Sequence, residues 1–300
     1  MSHRNLALPF SHLMLALFVT VIWGTNFVVI KFALDHLPPL LFGALRFIFA
    51  FFPAVFFIRR PPVAWLNLAA YGVLIGAGQF GLLYIAMKHD ISPGLASLVI
   101  QTQIFFTIGL SMWFTGERVK LFQIFALALA VGGLGVIAVN GGHSATPFGL
   151  TLILLAAFSW GCGNTVAKAG APANMLAYVV WGSLFSFPPL LALSFIFEGW
   201  PAIESGILQS NWMTWAAVIY QSVANTLFGY AAWGWLLARH PAAIITPVAL
   251  LIPIFGMSAS ALILSEPLPG WKLAAIALVI SGLALNLTWP KLKIALSKPA

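Results

Sequence analysis

Several amide side chains stand inside otherwise apolar stretches of this 300-residue sequence, among them Asn26, Gln79, Gln101, Gln103, Asn164, Gln221 and Asn225. An amide both donates and accepts hydrogen bonds, so a group of them can hold the ammonium and the carboxylate of a zwitterion without burying a fixed charge. Ser97, Gln101 and Phe105 fall at i, i+4 and i+8, and Gln221, Asn225 and Gly229 repeat that interval. On regular helices each set makes one stripe. Gln103 is two residues from Gln101 and points elsewhere, towards a contact between helices. Asn26 and Asn164 suit either a cavity wall or an inter-helix hydrogen bond, and both uses stay open. Trp23 and Trp160 are open in the same way between packing and lining. The candidate binding set is Asn26, Gln79, Gln101, Gln103, Trp160, Asn164, Gln221 and Asn225.

Catalytic chemistry finds no footing. All six acids (Asp35, Asp90, Glu117, Glu198, Glu204, Glu266) and all six histidines lie in connectors or at the ends of apolar runs. Cys162 stands alone inside a run, without a base, and the single cysteine excludes an intrachain disulfide. Nucleophile–base pairs, clustered carboxylates and metal ligands at matching depth are therefore missing, and with them an intramembrane enzyme. No Gly-x4-Gly-Lys-Ser/Thr phosphate loop occurs, so no cofactor and no ATP coupling are expected. Arg46 is the exception among charges, about two turns inside a run. It suits pairing with Asp35 or Asp90, or a meeting with a ligand carboxylate.

The elements that must carry these residues follow from composition. Hydrophobic residues make up 61% of the chain and charged ones 7%, with a mean hydropathy of +1.01. No water-soluble core of this size hides so much apolar surface. A membrane-crossing helix needs roughly 20 mostly apolar residues, and the sequence reads as ten such runs. They cover residues 13–33, 40–58, 66–87, 94–115, 121–140, 149–168, 175–197, 212–237, 243–264 and 271–289. The first run is read as a permanent span, because no small-residue cleavage site follows it. Apolar character on all sides favours helices over barrel strands.

Orientation follows from basic residues in short loops. With the N-terminus inside, ten fall on the cytoplasmic side: Arg4, Arg59, Arg60, Arg118, Lys120, Lys168, Arg239, Lys291, Lys293 and Lys298. Lys31, Lys88 and Lys272 fall outside. Both termini are thus expected in the cytoplasm, and the net charge of +8 reflects topology rather than a nucleic-acid partner. Lys31 and Lys168 are expected to reach for headgroups, Tyr84 to sit at the outer interface, and Glu117 and Glu266 to serve connectors.

The two halves echo each other. Trp23-Gly24 followed by Asn26 and Lys31 returns as Trp160-Gly161 followed by Asn164 and Lys168. Pro93 and Pro241 each open a span, and Glu117 and Glu266 each precede the last span of a half. Five spans per half invert the second relative to the first, an architecture of secondary transporters with their site between the repeats. The expected repeats are residues 12–141 and 148–290.

These motifs resemble the EamA family of the drug/metabolite transporter superfamily. The resemblance is carried by Trp23-Gly24-x-Asn26-x4-Lys31, Pro93-Gly94-Leu95-Ala96-Ser97-Leu98, the run from Gln101 to Thr107, Gly116-Glu117-Arg118 and the stretch Phe158 to Asn164. It is closest to bacterial exporters of amino acids and related metabolites, of the O-acetylserine/cysteine type. It implies ten helices around a central cavity and outward export across the cytoplasmic membrane, with a small molecule and membrane lipid as partners. Without acids or histidines in the spans, transport is expected to be facilitated rather than proton-driven. The runner-up is a broad exporter of drugs or cations from the same superfamily. Prolines 53, 188, 189, 247 and 253 are expected to break their helices, and Gly72 and Gly76 to give the third span a close-packing face.

Overall fold

A computed structural model describes residues 9–115, 120–240 and 242–296, and every named element in them is helical. Arg4, Glu117, Arg118, Pro241 and Lys298 lie outside the described residues. The helices are α1 (Phe10–Leu34), α2 (Pro39–Phe51), α3 (Trp65–His89), α4 (Pro93–Phe114), α5 (Leu121–Asn140), α6 (Pro147–Gly170) and α7 (Met175–Phe197). A short α8 (Gly199–Gln209) follows, then α9 over residues 212–239, α10 over 242–263 and α11 (Gly270–Leu296).

The chain places its own start signals. Pro39, Pro93 and Pro147 begin α2, α4 and α6, where a missing N–H costs nothing. Thr146, Asn174 and Asn211 accept from the first free amides of α6, α7 and α9. The helices α2 and α4 start without a cap of their own and borrow distant carboxylates. Glu198 accepts from Leu40 N at 2.6 Å and Leu41 N at 3.1 Å. Glu266 accepts from Gly94 N at 3.1 Å and from the Ser92 hydroxyl. It also pairs with the buried Lys272 at 2.7 Å. Residues 198–211 lie between two of the apolar runs read from sequence, and the short α8 occupies most of them.

Among the described residues, eight helices are long and apolar enough to cross a membrane, and Pro247–Ile263 is a shorter apolar helix. The run 212–239 is not among the eight, and it carries Gln221, Ser222, Asn225 and Thr226 near its middle. Large apolar side chains such as Leu66, Trp113, Val139 and Leu262 point outwards, which suits a hydrocarbon solvent and no aqueous one.

Packing repeats between the halves. α1 lies against α10 and α9, and α6 correspondingly against α4 and α3; α2 pairs with α7, and α5 with α11. The repeated Trp-Gly marks these seams. A Cβ on Gly24 would come within 2.5 Å of Phe255 Cβ on α10, and one on Gly161 within 3.0 Å of Phe106 Cβ on α4. Glycine is needed at both because the backbones touch. Gly72 and Gly76 do face α7, against Phe185 and Ser186.

The irregular turns are paired too. α3 widens into a π-helix over Leu74–Gly81, and α9 does so over Tyr220–Phe228. α4 tightens into a 3-10 turn at Ile100–Thr102, and α10 at Thr246–Leu250. Serines from neighbours help satisfy loosened carbonyls, as Ser159 does for Leu74 O at 2.8 Å. The prolines act less uniformly than expected. α2 ends just before Pro53 and α10 tightens around Pro247, but the assigned helix runs through Pro188, Pro189 and Pro253. Tight packing of α7 on α2 and α3 holds it together there.

Candidate substrate-binding site

A cavity of about 90 Å³ sits where helices from both halves meet. Its polar lining is Asn26 of α1, Arg46 of α2, Gln79 of α3, Gln101 of α4 and Asn225 of α9. Trp23, Phe27, Phe80, Trp160 and Tyr230 supply aromatic walls, and Leu83, Ile100 and Ile252 close the rest. All five polar residues are buried.

The amides form one linked array. Gln221 donates from Nε2 to Asn26 Oδ1, and Asn225 Nδ2 donates to Gln221 Oε1 at 3.2 Å. The Trp23 indole N–H donates to the Asn225 carbonyl at 3.1 Å. Gln221 thus stands behind the wall, fully buried, and holds Asn26 and Asn225 in place. The Gln101 side chain forms no hydrogen bond with the described residues, so its amide is left for whatever fills the cavity. Gln79 Oε1 is buried and has no partner among them either.

Arg46 is 1% exposed. Its Nη1 donates to the Tyr84 hydroxyl at 2.7 Å, and Nε and Nη2 donate to Thr226 Oγ1 at 3.2 and 3.0 Å. The guanidinium carbon lies 3.6 Å from the centre of the Phe80 ring. Neither expected acid reaches it: Asp35 pairs with Lys31, and Asp90 accepts from the Thr146 hydroxyl at 2.8 Å. Tyr84 is correspondingly buried at the heart of the bundle instead of standing at an interface. Thr226 in turn donates to Gln221 O at 2.8 Å, five residues back, a contact the wide π turn permits.

Of the eight candidates, Asn26, Gln79, Gln101, Trp160 and Asn225 line the cavity and Gln221 supports it. Gln103 and Asn164 are brought together elsewhere: Asn164 Nδ2 donates to Gln103 Oε1 and to the Thr107 hydroxyl, both at 3.1 Å, on the seam of α4 and α6. Of the two expected stripes, one breaks and one holds. Ser97 turns to Gly94 O and packs against Gly256, while Gln101 faces the cavity. The 3-10 turn beginning at Ile100 separates them, whereas Gln221 and Asn225 stay hydrogen-bonded to each other and Gly229 meets Trp23 on the same side. Arg46 was the strongest cavity residue outside the candidate set. The signal for it was its charge within a span.

An apolar-surfaced helical bundle enclosing a small cavity of amides and aromatics has the build of a multi-pass membrane transporter, not of an enzyme. The chain belongs to the EamA-like transporter family, whose sequence pattern matches residues 10–139 and 147–288. It is 41% identical over 280 residues to the "Probable amino-acid metabolite efflux pump" of Salmonella typhimurium strain LT2, covering 91% of this chain and 93% of that protein. The protein of the same name from Escherichia coli K12 is 39% identical, over 92% of this chain and 96% of its own. A "Probable terminal-alkyne amino-acid exporter" of Streptantibioticus cattleyicolor is 27% identical over 90% of this chain and 91% of its own. A solved structure described as "Crystal structure of protein" superposes with a TM-score of 0.63 at 19% identity, covering 96% of this chain and 99% of the other. That likeness concerns the fold alone.

Proposed function

We propose that this protein exports amino acids and related small metabolites across the cytoplasmic membrane of a bacterium, by alternating access down the substrate's own gradient. The observation that carries this reading is the cavity, built from both halves and lined by hydrogen-bonding amides between aromatic walls. Kinship to amino-acid metabolite efflux pumps at 39% and 41% identity supports it. Substrate is held by Asn26, Gln79, Gln101, Trp160 and Asn225, with Gln221 bracing two of them. Gln103 and Asn164 act one layer away, tying α4 to α6.

The proposal includes ten crossings, with residues 212–239 and 242–263 as the eighth and ninth. It arranges them as inverted repeats over 12–141 and 148–290, with both termini cytoplasmic. Matching pairs of π and 3-10 turns in corresponding helices support that symmetry. Facilitated transport fits the lack of acids or histidines in the lining, since an arginine does not release its proton. A cation exporter fits poorly, because the one charge in the lining is positive.

The test is flux in liposomes containing the purified protein, with labelled amino acids and a cationic dye. Amino-acid flux that follows the substrate gradient and barely responds to an imposed pH gradient is expected. Strong acceleration by the pH gradient at fixed substrate gradient overturns the energetic part, and preference for the dye overturns the substrate class.

A further inference from the structure

We propose that Arg46 receives the substrate's carboxylate while Gln79 and the aromatic walls receive its ammonium, so that the cavity selects small amino acids with a free carboxylate. The inference rests on the reading of this cavity as the export site and specifies how that site chooses.

The first ground is charge. Two ion pairs occur among the described residues, Lys31–Asp35 and Lys272–Glu266, and Arg46 belongs to neither. A buried cation without an anion is costly, and in a membrane protein such groups mark ligand sites. Two hydroxyls and the Phe80 ring soften the cost, yet all of them are neutral. The missing negative charge is what the substrate brings.

The second ground is hydrogen-bond valence. A guanidinium carries five N–H groups, and three are engaged, one on each nitrogen. One donor therefore remains on Nη1 and one on Nη2. Two donors on adjacent terminal nitrogens match the two oxygens of a carboxylate. Tyr84 and Thr226 hold the fork from behind, and the Ser222 hydroxyl fixes the Arg46 carbonyl at 2.9 Å.

The third ground is the opposite pole. Gln79 is 2% exposed, lines the same cavity, and its Oε1 lacks any donor. A buried acceptor left open is destabilising unless a donor arrives. An ammonium supplies three N–H groups, and the faces of Trp23, Trp160 and Tyr230 add cation–π attraction.

Size completes the fit. The cavity measures about 90 Å³, several times the roughly 10–15 Å³ that admits one water. That is close to the bulk of alanine, serine, cysteine or threonine.

The experiment uses the full chain in liposomes, with tritiated alanine, serine, cysteine and threonine as probes. For each amino acid carried, its methyl ester, which keeps the ammonium and blocks the carboxylate, is tested as a competitor. The ester is expected to compete about 100-fold more weakly than the parent acid. Arg46→Gln is expected to raise half-saturation about 100-fold and to erase the preference for acid over ester, with Arg46→Lys in between. An ester that competes as well as the acid on the unaltered protein overturns the assignment, whether or not Arg46→Gln inserts properly. Equal flux in Arg46→Gln overturns it too, while leaving the export reading intact. Flux of none of the four overturns the export reading first, and this inference falls with it.

Discussion

Arg46 and its neighbours decide how the cavity differs from a simple gap between helices. Tyr84 and Thr226 do not contribute charge; they spend the guanidinium's rear donors so that its front stays aimed. Tyr84→Phe removes one acceptor without changing shape. A hydrogen bond to a charged group is worth about 1.5–3 kcal/mol, so half-saturation in liposome flux is expected to rise by roughly tenfold or more. The unfolding midpoint in detergent should fall as well, since the same bond is lost in the empty protein, although the ring still stacks on Phe42 at 4.6 Å. Gln101 has no protein partner to lose. Gln101→Ala is therefore expected to lower flux by about tenfold while membrane insertion, read by expression and gel filtration, stays normal. Normal flux from that variant would move the polar contact to Asn26 and Asn225. The types of these residues were readable in the sequence, but their partners were not. Arg46 finds Thr226 from 180 positions away and Tyr84 from 38, distances at which a linear pattern carries no information.

Helices set the second scale, and here two close approaches are testable. The α1–α10 seam admits no side chain at Gly24, where a new Cβ would lie 2.5 Å from Phe255 Cβ and 2.8 Å from Ile252 O. Gly24→Ala is expected to cost about 1–3 kcal/mol through overpacking, seen as a lower unfolding midpoint in detergent. Gly132→Ala is the control, since nothing lies within 4 Å of the new methyl; it should leave the midpoint unchanged or raise it. The second case is Glu266, which caps α4 from the connector before α11 and neutralises buried Lys272. Glu266→Gln leaves that lysine without its counter-charge, a loss of about 3 kcal/mol or more. Adding Lys272→Met should recover much of it. Recovery, measured by the same unfolding assay, separates the cost of the orphaned charge from the cost of the lost cap. Failure to recover would assign the effect to the cap instead.

At the scale of the whole molecule, the matching irregularities in α3 and α9, and in α4 and α10, fall around the cavity. Helices that depart from regular hydrogen bonding there have turns that can tighten or relax as the two sides open in alternation. The arrangement proposed for the bundle places both chain ends on the cytoplasmic side. After Cys162→Ala, which removes the only cysteine, single cysteines introduced near each end should both react with impermeant thiol reagents from the cytoplasmic face alone. Labelling of the ends from opposite faces would break the inverted symmetry. The amino-acid sequence by itself determined that this is a helical membrane protein and roughly where most of its long helices lie. Those properties follow from composition along a line, because lipid tests each segment's polarity and length without reference to its neighbours. Only the tertiary structure decided which amides meet in one cavity. Each residue of an α-helix advances about 100° around the axis, so one 3-10 or π turn redirects every side chain beyond it. Ser97 and Gln101, one regular stripe in the sequence, part for that reason, and Arg46 is left with donors that no described residue fills.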